Sequence, residues 1–118
     1  MATDIIISNI GKATVVEFQV PSLMDPLMLE SLSVRLVALV DEQDRRILIL
    51  DFARVQYLSS QAIGVVITLH RKLSALPNSK FLLCGINSKL AELLKLTRLD
   101  RVLTIKPTQK EAINSVTL

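Results

Sequence analysis

The sequence predicts a single α/β domain on a mixed β-sheet, with elements in the order β-β-α-β-α-β-α-β-α. Three observations carry this. Residues 46–52 and 80–85 hold continuous apolar runs, the signature of strands buried on both faces under helices. The segments around them carry apolar residues three and four apart, the period of an amphipathic helix. The opening residues instead alternate, which is the period of a half-exposed strand.

The elements follow in order. Residues 5–8 are a β-branched run, and Asn9-Ile10-Gly11-Lys12 has turn chemistry. In residues 14–20, Val16, Phe18 and Val20 fall on one face and Glu17 and Gln19 on the other, which predicts the second strand of a hairpin. Asp25-Pro26 reads as a helix start, with Asp as N-cap and Pro at the first helical position. Leu29, Leu32, Leu36 and Leu39 form that helix's buried stripe, and it ends within residues 41–44. The strand at 46–52 leads through a short loop to a second helix over 60–75, closed by Pro77-Asn78. The strand at 80–85 follows. Ser88 is the expected cap of a third helix, with Leu90, Leu93, Leu94 and Thr97 on one face. Residues 102–105 are a short strand, and Thr108 with Glu111 forms a capping-box pattern for a final helix. Strand–helix–strand crossovers imply parallel neighbours and right-handed connections.

Composition narrows the function. The 118 residues, half of them hydrophobic, fit one compact domain over 1–118. Aromatics make up 3%, so the core is aliphatic. One cysteine, Cys84, excludes a disulfide within the chain and suits a reducing, cytoplasmic setting. Residues 1–4 lack a basic region ahead of the apolar run, so no signal peptide is expected. No apolar run approaches the roughly 20 residues of a membrane span. The net charge of +3 is scattered and not interleaved with aromatics, which argues against direct nucleic-acid binding and suits an acidic protein partner.

Catalytic chemistry finds few parts. His70, the one histidine, lies roughly 15 Å along its helix from Ser60, beyond hydrogen-bond reach. It reads as a surface or partly packed helix residue. Cys84 sits inside an apolar strand as an inert thiol. One His and one Cys make no zinc site. The three glycines form no phosphate-binding loop. No catalytic residue, metal or cofactor is expected.

Ser59-Ser60 stands out at the strand-to-helix junction. Binding sites in α/β sheets gather at the carboxyl ends of the strands. A helix N-terminus also offers unpaired N–H groups and partial positive charge, which accommodate phosphate. The structural reading is that Ser59 caps the helix and Ser60 is a polar first-turn residue. In the second helix, Ala62, Val65, Val66, Leu69 and Leu73 supply a core stripe. Ile63, Ile67 and His70 form a neighbouring one, which is either core or a partner surface.

The segment Leu50-Asp51-Phe52-Ala53-Arg54-Val55-Gln56-Tyr57-Leu58-Ser59-Ser60-Gln61-Ala62-Ile63-Gly64 resembles the signature of the STAS family. Anti-sigma factor antagonists of that family carry L-D-x-x-x-V-x-x-[LIM]-D-S-[ST]-G-L-G at such a junction. Asp51, Val55, Leu58, Ser60, Ile63 and Gly64 fall on it in register. A second stretch, Leu90-Ala91-Glu92-Leu93-Leu94-Lys95-Leu96-Thr97-Arg98-Leu99-Asp100-Arg101-Val102, is similar to the family's V-x-x-V-L-E-L-T-G-L-D-R-L-F. The element order matches as well, so the resemblance spans nearly the whole chain.

The resemblance implies a non-enzymatic bacterial regulator of sigma-factor-dependent transcription. Its partners are an anti-sigma factor that is also a serine kinase, and a cognate phosphatase. Phosphorylation falls on Ser60, with Ser59 as second choice. Asp25, Leu58, Ser59, Ser60, Gln61, Ile63, Gly64 and Ile67 are the implied partner-binding residues. The chain is expected to be a monomer or weak dimer. It departs from the pattern at Ser59 (usually Asp), Gln61, Ala62 and Arg98 (usually Gly). Two alternatives remain within the family: an unphosphorylated scaffold subunit of a signalling or transporter complex, and a module binding a nucleotide or lipid.

Overall fold

The structure is a computed structural model and describes residues 4–116. The strands are β1 (Ile5–Ile10), β2 (Ala13–Phe18), β3 (Ser22–Leu23), β4 (Ile47–Asp51), β5 (Tyr57–Leu58), β6 (Lys80–Cys84) and β7 (Thr104–Lys106). The helices are α1 (Pro26–Asp41), α2 (Ser60–Ser74), α3 (Ser88–Leu96) and α4 (Gln109–Val116), with a 3-10 turn at Leu99–Arg101. The main sheet runs β1-β2-β4-β6-β7, and β3 and β5 pair separately. β1 and β2 form the antiparallel hairpin; β2, β4, β6 and β7 are parallel neighbours. The fold is thus the expected α/β domain with a mixed five-stranded sheet, an N-terminal hairpin and four helices.

The connectivity explains where the helices lie. From β2 to β7 every new parallel strand is added on the same side of the last. Right-handed crossovers then place α1, α2 and α3 on one face of the sheet. Leu29, Leu32 and Leu36 of α1, Leu69 and Leu73 of α2, and Leu90 and Leu94 of α3 pack there against Val16, Leu48, Leu50 and Leu83. α4 follows the last strand and covers the other face, where Ala112 and Val116 meet Val15, Ile49, Leu82 and Cys84. β4 is therefore buried on both sides, as its unbroken apolar run requires. At about 25 cal/mol per Å² of apolar area, these aliphatic contacts are the main stabilising force of a core with so few aromatics.

Several boundaries differ from the sequence expectation. The first strand continues to Ile10, because the hairpin turn needs only Gly11-Lys12, and the second ends at Phe18. The two-residue strands β3 and β5 are additions, too short to show any periodicity. The last strand starts at Thr104 instead of 102, since the N–H groups of Val102 and Leu103 are both taken by the Leu99 carbonyl as the 3-10 turn ends. Asn87, not Ser88, caps α3. Its Oδ1 accepts from the Leu90 N–H at 2.8 Å, while its Nδ2 donates to the Val55 carbonyl at 3.2 Å. A serine hydroxyl does not reach in both directions like this, and Ser88 becomes the first helical residue. Thr97 is exposed instead of lying on the buried face, and its hydroxyl donates to the carbonyls of Leu93 and Leu94. The other expected caps hold: Asp25 Oδ1 accepts from Leu27 N–H, and Thr108 Oγ1 from Glu111 N–H, both at 3.2 Å.

Candidate functional site

The site is built where β4 ends. Asp51 turns the chain there: its Oδ1 accepts from the Ala53 N–H at 2.9 Å and its Oδ2 from Gln109 Nε2 at 2.8 Å. The same amide nitrogen donates to Glu17 Oε1 at 2.7 Å, so one side chain of α4 bridges two carboxylates at the strand ends. Gly85 passes close beside this turn with φ at +70°. A Cβ on it would stand 2.7 Å from Asp51 Oδ1 and 2.8 Å from Ala53 N, so the position requires glycine. Phe52 and Val55 anchor the loop in the core. Cys84, buried beside these carboxylates, has its thiol pushed up to about 12, by burial first and then by the charges of Asp51 and Glu17.

The loop then meets the segment between β2 and α1. Gln56 and Tyr57 N–H donate to the Pro21 carbonyl at 2.7 and 3.2 Å. β3 and β5 pair Ser22 with Tyr57 and Leu23 with Leu58. Ser59 completes the junction: its N–H donates to the Leu23 carbonyl at 3.1 Å and its hydroxyl to the same oxygen at 3.2 Å. The Ser59 oxygen also accepts from Ala62 N–H at 3.2 Å, capping α2. Ser59 is half-buried and fully engaged. Ser60, the first residue of α2, is exposed, and its hydroxyl bonds to no other described residue.

The remaining sequence-predicted residues are arranged around this pair. Gln61 is exposed and donates from Nε2 to the Pro26 carbonyl at 3.2 Å, tying the N-termini of α1 and α2 together. Asp25, the exposed cap of α1, is thereby brought to the same end of the molecule as Ser60. Leu58 is half-buried and packs on the core. Ile63 and Ile67 are half-buried and lie outside the two core clusters, so the second stripe of α2 is a partly open surface. Gly64 is exposed, with open space where a Cβ would point. His70, on the same stripe, lies with its ring 6.4 Å from that of Phe81, well along the helix from the serines.

The structure also shows surface of which the sequence signalled only Leu58. Met24, Tyr57, Leu58, Leu93 and Leu96 line a groove of about 320 Å³ beside the β3–β5 pair. Lys89 lies over the Tyr57 ring at 4.2 Å from its centroid. Leu27, in the first turn of α1, is 77% exposed. These residues come from distant parts of the chain, and no single segment contains a pattern that would have grouped them.

The model of the STAS domain family matches residues 6–112. The chain belongs to the STAS domain family. Solved structures of the same fold include a STAS anti-sigma-factor antagonist domain protein from Planctomyces limnophilus, 20% identical, with a TM-score of 0.87 over 99% of this chain and all of that one. An anti-sigma factor antagonist from Mycobacterium paratuberculosis is 20% identical with a TM-score of 0.83, covering 95% of this chain and 92% of the other. The Bacillus cell fate determinant SpoIIAA in its phosphorylated form is 18% identical with a TM-score of 0.75, over 95% and 98%. At these identities the likeness is one of fold. No curated protein matches the chain. Among the described residues no helix is long and apolar enough to cross a membrane, and no group of side chains is arranged to hold a metal ion.

Within the STAS domain, Arg98 is the departure with a visible structural consequence. It follows α3 in the left-handed conformation, φ 62° and ψ 16°. A residue there without a Cβ avoids a steric cost, which accounts physically for the glycine that the family pattern carries.

Proposed function

We propose that this STAS domain is an anti-sigma factor antagonist: it binds an anti-sigma factor with serine kinase activity, is released when Ser60 is phosphorylated, and is reset by a phosphatase. One observation carries the reading: of the two serines at the helix start, Ser59 is consumed as cap and Ser60 is left open. A phosphate on Ser60 would stand at the N-terminus of α2, where the helix dipole and free N–H groups favour an anion. The domain would hold it without refolding. Phosphate brings about −1.5 to −2 charges at neutral pH. Inside a packed partner interface, an unpaired charge costs several kcal/mol, which changes affinity by orders of magnitude. The fold shared with a SpoIIAA solved in phosphorylated form is consistent with this chemistry.

The test is phosphopeptide mass spectrometry after incubation with the cognate kinase. One phosphate on Ser60 is the expected result, and its absence from both Ser59 and Ser60 sinks the reading. Ser60→Asp should weaken partner binding at least tenfold; unchanged affinity removes the charge argument.

A second reading, a scaffold that is never phosphorylated, is favoured by one observation. The first turn of α2 contains no acidic residue, and Ser59 stands where the family pattern has Asp. Pull-down separates the two: a kinase supports the switch, a multisubunit assembly without one supports the scaffold.

A further inference from the structure

The two edges of the main sheet are finished differently. β7 is three residues long, ends in Lys106 and runs into Pro107. A short edge strand with a lysine and a proline discourages the addition of another strand. β1, at the opposite edge, has none of these features. It is six residues long and contains neither charge nor proline. Ile6, Ile7 and Ile10 are 43%, 37% and 40% exposed. Helix α4 covers Ala13 and Val15 of the neighbouring strand but leaves Ile6 and Ile10 open on the same face.

The hydrogen bonding of the hairpin shows which backbone groups are free. Gln19 N–H donates to the Asp4 carbonyl at 2.8 Å. In an antiparallel ladder the residues alternate, so Ile6, Ser8 and Ile10 also aim their N–H and C=O at β2. Those of Ile5, Ile7 and Asn9 point outward, and no other described strand pairs with them.

We propose that β1 is a homodimerisation edge, pairing antiparallel with β1 of a second copy about a two-fold axis through Ser8. Opposed residues in an antiparallel pair share a face, so a two-fold axis through the sheet restricts the register to a few choices. The Ser8-centred register sets Ile6 opposite Ile10 of the second copy, and Ile10 opposite Ile6. It sets Ile7 opposite Asn9, whose outward groups exchange two N–H···O bonds, and symmetry makes two such pairs. Just beyond the strand it brings Asp4 of each copy to Lys12 of the other. Centring on Ile7 instead would leave Ile6 against Ser8 and separate the charges. A parallel pairing would set Asp4 beside Asp4 and Lys12 beside Lys12. The Ile6–Ile10 pairs and the charged positions therefore select the same arrangement, while the outward hydrogen-bonding groups of Ile5, Ile7 and Asn9 are met in either antiparallel register. It joins the two five-stranded sheets edge to edge and uses none of the residues around Ser60.

One strand pair buries less than the roughly 1,200 Å² of a stable interface, so the dimer should be concentration-dependent. Sedimentation equilibrium of the whole chain should show the average mass climbing from 13.1 kDa towards twice that value as concentration rises. Ser8→Cys should give a disulfide-linked dimer on mild oxidation, because a non-hydrogen-bonded pair on the axis brings the Cβ atoms to about 4.5–5.5 Å. Asn9→Cys, away from the axis, should not. Cys84 is buried and does not compete. Ile6→Lys, on an exposed face, and Ile7→Pro, which removes an outward N–H, should each weaken association at least tenfold while far-UV circular dichroism is retained. The proposal is overturned if the wild type stays at monomer mass at every concentration. It is equally overturned if Ser8→Cys cross-links no better than Asn9→Cys, or if folded Ile6→Lys associates as the wild type does.

Discussion

Ser59 holds the Leu23 carbonyl with two donors, its backbone N–H at 3.1 Å and its hydroxyl at 3.2 Å. The same hydroxyl oxygen caps α2 through Ala62. This arrangement joins the β3–β5 pair to the helix start, and it makes the two adjacent serines unequal.

Replacing them should therefore have different consequences. Ser59→Ala loses the cap and the tie to Leu23 and should cost about 1 kcal/mol. Ser60→Ala, at an exposed position, should stay within about 0.5 kcal/mol of the wild type. Urea denaturation measures both, and equal losses would contradict the assigned division of labour.

Arg98 adopts a positive φ that a side chain pays for. Arg98→Gly should stabilise the domain by about 0.5–1 kcal/mol, the steric relief being partly offset by the greater chain entropy of glycine when unfolded. For a domain of this size that raises the melting temperature by a few degrees. A lower melting temperature would mean that the guanidinium makes contacts that outweigh the strain.

Two glycines should respond in opposite directions to alanine. Gly85→Ala drives a Cβ into Asp51 and Ala53 at a left-handed φ and should cost 2 kcal/mol or more, roughly the size of a strained-backbone penalty with overpacking. Gly64→Ala meets nothing within 4 Å in the middle of α2 and should stabilise by about 0.5–1 kcal/mol. Thermal melts of the two variants side by side check the contrast.

Cys84 predicts an alkaline limit. Its thiol is raised from 9.0 to about 12 in the folded chain, so the unfolded chain releases this proton first as pH rises. The stability held by the neutral thiol is complete below pH 9.0 and is lost as pH climbs to about 12. Cys84→Ala should therefore show a shallower fall of stability over that window. At neutral pH the native thiol should resist iodoacetamide and react once urea unfolds the domain.

Much of the fold was legible in the sequence. The apolar runs of β4 and β6, the leucine stripe of α1 and the Asp25-Pro26 start reflect local rules of period and capping, which act within a few residues. The STAS motif also located the strand-to-helix junction and its serine pair. Pairings between segments far apart in the chain were less accessible. β3 and β5 are two residues each and exist as strands only because they meet. Asn87 displaced Ser88 as cap because it alone also reaches Val55, a contact 32 residues away.

The sequence by itself determined most of the buried leucine and valine positions, the order of the longer elements and the presence of two serines at one helix start. Those follow from hydrophobic period and helix-end chemistry, both short-range. Helix-end chemistry already read Ser59 as the cap; tertiary structure decided how firmly it is held. Leu23 lies 36 residues before Ser59, and only the folded chain brings its carbonyl to the hydroxyl that it occupies.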